Sequence, residues 1–172
     1  MRIFYTADHE PLPGNNLWHN NLYQSLVDLG YDVVEFKYGL RETCQNPDPS
    51  DPKQRAFIDN NRPRLEQALL SQVEGAHGEK PIDLFFCYFY SACVRPGVIE
   101  DIKALGITTV NWYCNAADQF CLIEELASAY DWCLVPERMR PEDYRRIGAN
   151  PIYCQGSCEP KYLQALQRSG GV

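Results

Sequence analysis

Residues 107–120 read ITTVNWYCNAADQF, and the interpretation of this stretch decides the fold. An apolar, partly β-branched run from Ile107 to Cys114 breaks into the small polar series Asn115, Ala116, Ala117, Asp118. β-Branched and aromatic side chains pack well on a pleated surface, so the run reads as a strand and the break as its end. Upstream, Ile82 to Tyr90 (IDLFFCYFY) is almost continuously hydrophobic. A strand with one wet face alternates, whereas a parallel strand covered on both faces does not.

Working outward, the intervening segments read as helices. Val98 to Leu105 is a short helix ended by Gly106, after a loop from Ser91 to Gly97. Phe120 to Tyr130 places Ile123, Leu126 and Tyr130 on one side, and Asp131 to Val135 (DWCLV) is the next strand. Pro141 opens a helix running to Ile147 that Gly148 stops; Pro151 to Cys154 is a last strand, and Tyr162 to Gln167 a terminal helix. Toward the N-terminus, strand Arg2 to Ala7 and loop Asp8 to Asn16 lead into a helix from Leu17 to Leu29. Trp18, Leu22, Leu26 and Leu29 form its apolar face, Asn15 or Asn16 caps it and Gly30 ends it. Strand Asp32 to Tyr38 and a surface loop from Gly39 to Pro52 follow. A helix from Gln54 to Val73 comes next, in which Pro63 should start a second helix or a kink. Glu74 to Lys80 reads as a turn with a solvated His77. This alternation predicts one α/β domain over residues 1–172: a Rossmann-like, doubly wound, mostly parallel sheet of about six strands with helices on both faces.

Composition narrows the function classes. The 172 residues carry a net charge of -7, with 45% hydrophobic and 23% charged residues. An acidic chain without a Lys/Arg cluster is poorly suited to nucleic acid or an anionic membrane surface. The most apolar run, Ile82 to Val94, is too short to span a bilayer, and the start lacks a signal-peptide pattern, so a cytoplasmic protein is expected. Of the 8 cysteines, Cys87, Cys114, Cys133 and Cys154 fall in apolar runs and read as reduced, buried thiols. Neither a metal nor a cofactor is expected.

Ligands of open parallel sheets bind beyond the carboxyl ends of the strands. The first such loop holds Asp8, His9, Glu10, Gly14, Asn15 and Asn16. His9 between two carboxylates is suited to general-base work, and Gly14, Asn15 and Asn16 before a helix suit a polar ligand. The competing reading is a solvated loop. Neither G-x-G-x-x-G nor the P-loop pattern occurs, which argues against a standard dinucleotide or NTPase site. After the fourth strand, Asn115 and Asp118 can satisfy ligand hydroxyls, although Asp118 is equally a candidate helix cap. Tyr90 ends its strand within reach of the cleft, and Arg95 is a candidate for an anionic group or simply a surface residue. No G-x-S-x-G, H-E-x-x-H or C-x-x-C motif is present, removing the usual support for stand-alone hydrolases, zinc proteases and thioredoxin-like proteins.

The ordered series KPIDLFFCYFY, VIEDIKALGITTVNWYCNAADQF and YDWCLVPERMRPEDYRRIGANPIYCQGSCEP resembles the N-terminal domain of GT-B-fold glycosyltransferases, in particular the CgeB-like spore-protein group. The chain has Asn115 where that group often has an acidic residue, leaving Asp118 as the carboxylate of the break. The resemblance implies an acceptor-side, hexosyltransferase-like half. It would work with a nucleotide-sugar donor bound by a second domain that these residues lack, and would be inactive alone. It further implies that a base near the first loop (His9, Asp8 or Glu10) deprotonates the acceptor hydroxyl, and that a partner subunit or self-association covers the cleft face. A non-catalytic binding or assembly module that retains the fold is the alternative reading. A flavodoxin-like small-molecule enzyme is a third.

Overall fold

The structure is a computed structural model, and it describes residues 1–6, 19–43 and 47–155. Strands β1 (Arg2–Thr6), β2 (Asp32–Glu35), β3 (Leu84–Cys87), β4 (Thr108–Asn111), β5 (Trp132–Val135) and β6 (Pro151–Tyr153) form one sheet. Every pairing is parallel, in the order β2-β1-β3-β4-β5-β6. The fold is therefore the expected Rossmann-like α/β arrangement. The connection from β1 moves one way across the sheet and those from β2 onward move the other. The switch in strand order lies between β1 and β3, where such sheets bind ligands.

Register explains the patterning of the strands. Ile3, Leu84 and Thr108 are neighbours across the sheet, as are Phe4, Phe85 and Thr109, so alternate residues line opposite faces. The face carrying Phe4, Phe85, Cys87, Thr109, Asn111, Cys133 and Val135 is sealed, every one of these residues being at most 1% exposed. The opposite face meets the segment before β2, where the Tyr5 ring packs 5.9 Å from that of Tyr23. Beyond it the face opens: Trp132 and Ile152, on neighbouring strands, are 45% and 43% exposed.

The connecting helices mostly follow the expected boundaries. A π-helical turn, His19–Tyr23, leads into α1 (Gln24–Asp28), and Gly30 takes φ 80° to end it. Leu22 and Leu26 pack on the core, but Leu29 is exposed because the helix stops one residue before it. Helix α2 (Pro52–Glu79) is 28 residues long, capped by Asp51 through the N–H groups of Lys53 and Gln54. Two expectations fail there. Pro63 neither splits the helix nor starts a new one: it lies on the exposed side, where water can hydrate the carbonyl whose partner it removes. Residues 74–79 are helical rather than a turn. Tertiary bonds hold that end, since the Ala76 carbonyl accepts from Arg2 (2.6 Å), and His77, far from being merely solvated, accepts the Ile82 N–H at 3.1 Å.

Helix α3 (Pro96–Ala104) precedes β4, and Gly106 turns the chain at φ 81°. The break after β4, read as the end of a strand, holds a short helix, α4 (Ala116–Gln119), and the expected helix from Phe120 to Tyr130 is instead a 3-10 turn (Phe120–Leu122) followed by α5 (Glu124–Ala127). Its apolar side is as expected, with Ile123, Leu126 and Tyr130 buried. Helix α6 (Pro141–Arg146) leads to β6. The expected terminal helix, Tyr162 to Gln167, and the loop from Asp8 to Asn16 lie outside the described residues. No helix among the described residues is long and apolar enough to cross a membrane.

Candidate functional site

The loops after β3, β4 and β5 leave the sheet at one edge and bring a set of polar side chains together. Tyr88 follows β3; its ring lies 5.5 Å from that of Tyr113, which follows β4. Asn115 donates from Nδ2 to the Tyr88 hydroxyl at 2.9 Å, and the Cys114 thiol lies 3.8 Å from the same oxygen. Beneath them, Asn111 donates to the Phe89 carbonyl at 2.8 Å, tying the β3 and β4 loops together. Tyr113 is wholly buried and donates to the Gln119 side chain at 3.2 Å.

The loop after β5 adds Glu137, Arg140 and Tyr144. The Arg140 N–H donates to the Glu137 carbonyl at 3.0 Å and the Tyr144 N–H to the Arg140 carbonyl at 3.3 Å, stacking the three residues turn on turn. The Phe120 ring sits between them, 5.6 Å from the Arg140 guanidinium and 5.1 Å from the Tyr144 ring. Arg140 is anchored by Asp143 at 2.8 Å and by the Ala117 carbonyl. Yet both Glu137 carboxylate oxygens, Arg140 Nε and the Tyr144 hydroxyl are buried without a hydrogen-bond partner among the described residues. Buried polar atoms without partners are costly and uncommon.

Burial controls the chemistry of the acidic hydrogens here. Desolvation, reinforced by nearby Cys133 and Glu137, pushes the Tyr144 hydroxyl far above its ordinary range. Burial also raises the Cys114 thiol, and raises Cys87 to about 11. At neutral pH these groups remain protonated, so neither thiol serves as a thiolate nucleophile. The six described cysteines are free, and the described residues contain no cluster of His, Cys, Asp or Glu that could hold a metal ion.

The sequence candidates fall into different settings. Asn115 is in the cluster. Asp118 is nearby but exposed, inside α4 rather than capping a helix. Tyr90 is fully buried; its hydroxyl donates to the Thr43 carbonyl and pins the loop after β2 instead of reaching a cleft. Arg95 is committed to Glu66, which accepts from its backbone N–H (2.7 Å) and its Nε (3.0 Å). Asp8, His9, Glu10, Gly14, Asn15 and Asn16 lie outside the described residues. Sequence reasoning missed Glu137, Arg140 and Tyr144; the signal was polar residues three and four apart within ERMRPEDY.

Two hollows lie elsewhere. A cleft of about 380 Å³ beside Arg95 is lined by Arg55, Arg62, Asp59 and Glu125. Its guanidinium groups are already engaged, Arg62 with the Ser91 carbonyl at 2.9 Å and Arg55 with that of Pro49 at 2.8 Å, and its acids offset the charge. A groove of about 430 Å³ lies at the opposite, amino edge beside Asp131 and Asn150, whose polar groups are bonded to neighbours. The cluster after β3–β5 is therefore the best-supported site. No known protein family, curated protein or solved structure matches this chain.

Proposed function

We propose that the chain is the acceptor-side domain of a sugar-transferring enzyme of the GT-B kind. It would bind a hydroxylated acceptor at the carboxyl edges of β3, β4 and β5 and depend on a second domain for the nucleotide-sugar donor. One observation carries this reading: the loops after β3 and β4 present neutral hydrogen-bonding groups, the Tyr88 hydroxyl and Asn115 amide bonded at 2.9 Å, rather than a glycine-rich phosphate cradle. Amide and hydroxyl groups suit polyhydroxylated ligands, because each can donate and accept. The motif series of the sequence supports the same reading. In it, a base from the loop holding Asp8, His9 and Glu10 deprotonates the acceptor hydroxyl, while Asn115 orients the sugar ring.

The test is a ligand-observed NMR screen of the isolated chain against saccharides and, separately, free nucleotide sugars. The reading predicts binding of saccharides alone and no sugar transfer by the chain by itself. Transfer by the purified chain, or binding of nucleotides without saccharides, would contradict it.

A second reading is a binding or assembly module. It is favoured by the exposed Trp132 and Ile152, which share one open face of the sheet rather than lying above the strand ends. Sedimentation measurements separate the two: self-association abolished by Trp132→Glu supports the module, and a monomer at every concentration removes it.

A further inference from the structure

The cleft beside Arg95 is built from segments that follow β2, β3 and β4, and so lies on the carboxyl side, where open parallel sheets bind ligands. Its volume of about 380 Å³ is lined by Arg55, Asp59 and Arg62 on α2, Arg95 before α3 and Glu125 on α5. Arg95 is neutralised by Glu66. The other four side chains supply two charges of each sign. Among the described residues the Asp59 and Glu125 carboxylates make neither a hydrogen bond nor an ion pair. That holds although Asp59 stands four residues from Arg55 and three from Arg62 on the same helix. Arg62 is held by one bond, Nη1 to the Ser91 carbonyl at 2.9 Å, and a guanidinium has further N–H donors to give. The Ser91 hydroxyl in turn donates to the Leu122 carbonyl at 2.6 Å, tying two of the walls together. Buried Ile58 and Ala92 add an apolar lining.

We propose that this cleft binds a small zwitterion, a free α-amino acid with an apolar side chain. Arg62 takes the carboxylate, Asp59 and Glu125 take the ammonium, and Ile58 and Ala92 receive the side chain. The balanced charge that makes the cleft a poor site for a plain anion is what selects this class. A lone carboxylate or phosphate meets Asp59 and Glu125, and a lone ammonium meets Arg55 and Arg62. A neutral sugar meets neither repulsion but forgoes bonds in which both partners are charged, which are the stronger kind. A zwitterion satisfies both signs at once. The volume lies at the small end of the roughly 300–1,000 Å³ of small-molecule sites, which suits one amino acid. The proposal goes beyond the sugar-acceptor reading and does not depend on it, since the two sites share no residue.

The experiment is saturation-transfer NMR on the full chain with free leucine, isoleucine and phenylalanine, and with their N-acetyl and amide forms, each of which lacks one charge. Inorganic phosphate and methyl glycosides are run beside them. Wild type is compared with Arg62→Gln and Glu125→Gln, and thermal melts confirm that the variants fold. The expected result is that at least one of the amino acids binds the wild type. Its two blocked forms should each lose about tenfold in affinity, as should Arg62→Gln. Glu125→Gln, at an exposed position, should lose about threefold and keeps the test open if Arg62→Gln melts early. Cys121 lines the cleft, so its alkylation should slow in the bound chain while that of the exposed Cys154 does not, as read by peptide mass mapping. Absence of binding by all three amino acids overturns the proposal. So do blocked forms that bind as well as the parent, folded variants that bind as wild type does, and binding that leaves Cys121 alkylation unaltered. Phosphate or a glycoside protecting Cys121 in place of the amino acids also overturns it.

Discussion

The two edges of the sheet treat their polar groups in opposite ways. At the amino edge most of the groups answer one another; Arg2 Nε makes no hydrogen bond among the described residues but lies 3.6 Å from the Asp32 carboxylate. Asp131 accepts from the Thr109 N–H at 2.8 Å and from its hydroxyl at 3.0 Å, and the Asp131 N–H returns a bond to that hydroxyl at 3.0 Å. Asn150 donates to the Asp131 carbonyl at 3.1 Å, and Lys80 pairs with Asp32 at 2.6 Å. At the carboxyl edge, the loop after β5 leaves Glu137, Arg140 Nε and Tyr144 buried and unanswered. Closed networks at one end hold the strands in register. Open ones at the other are tolerated where a ligand completes them, and stability is the cost.

Glu66 sharpens the contrast, because it is a buried acid on helix α2 that does have its partner, Arg95 in the loop after β3. Its carboxylate is 4% exposed and gathers Arg95 through main chain and side chain. Glu66→Ala should be the most damaging of the changes considered, costing about 2–3 kcal/mol, because the Arg95 N–H loses its acceptor. Thermal denaturation checks this; an unchanged melt would mean that the pairing contributes nothing. Asp131→Asn should cost about 1 kcal/mol, since one neutral acceptor replaces a charged one beside Lys103. Asn115→Ala should lower the melting temperature by no more than about 2 °C while weakening saccharide binding several-fold. A large melting change with intact binding would make Asn115 a structural tie only.

The smallest expected effect concerns acid. The hydrogen bond from Arg140, with the charges of Arg146 and Arg140 behind it, holds the Asp143 carboxyl below its ordinary 3.8. A depressed folded-state value means that the stabilisation is complete above 3.8 and is lost as pH falls from there through the folded value. Wild type should therefore lose melting temperature more steeply than Asp143→Asn below that pH. Parallel acid profiles would contradict it.

How much of this was legible in the sequence follows from what each signal depends on. Continuous runs such as Ile82 to Tyr90 marked covered parallel strands, because burial on both faces is written directly into composition. Gly30, Gly106 and Gly148 marked helix ends, since all adopt a positive φ. Helix α2 was harder to read. Pro63, Gly75 and Gly78 signal breaks locally, but the Arg2 contact that holds the helix end comes from a strand 74 residues away in the chain. The site was legible only in outline. Asn115 was found because it ends an obvious strand. Tyr90 and Arg95 seemed equally available, yet their partners Thr43 and Glu66 lie 47 and 29 residues away. Glu137 was missed because what sets it apart is a missing partner, and no local pattern reports that.

The central claim is that the carboxyl edge trades stability for a binding capacity that the amino edge lacks. Parallel melts of wild type, Asp131→Asn and Glu137→Met test it most directly. The account predicts opposite signs. Asp131→Asn should melt about 2–4 °C lower, and Glu137→Met should melt higher by a similar amount because it removes a buried carboxylate that has no partner. If Glu137→Met melts below wild type, Glu137 is a structural residue and the contrast between the edges is lost.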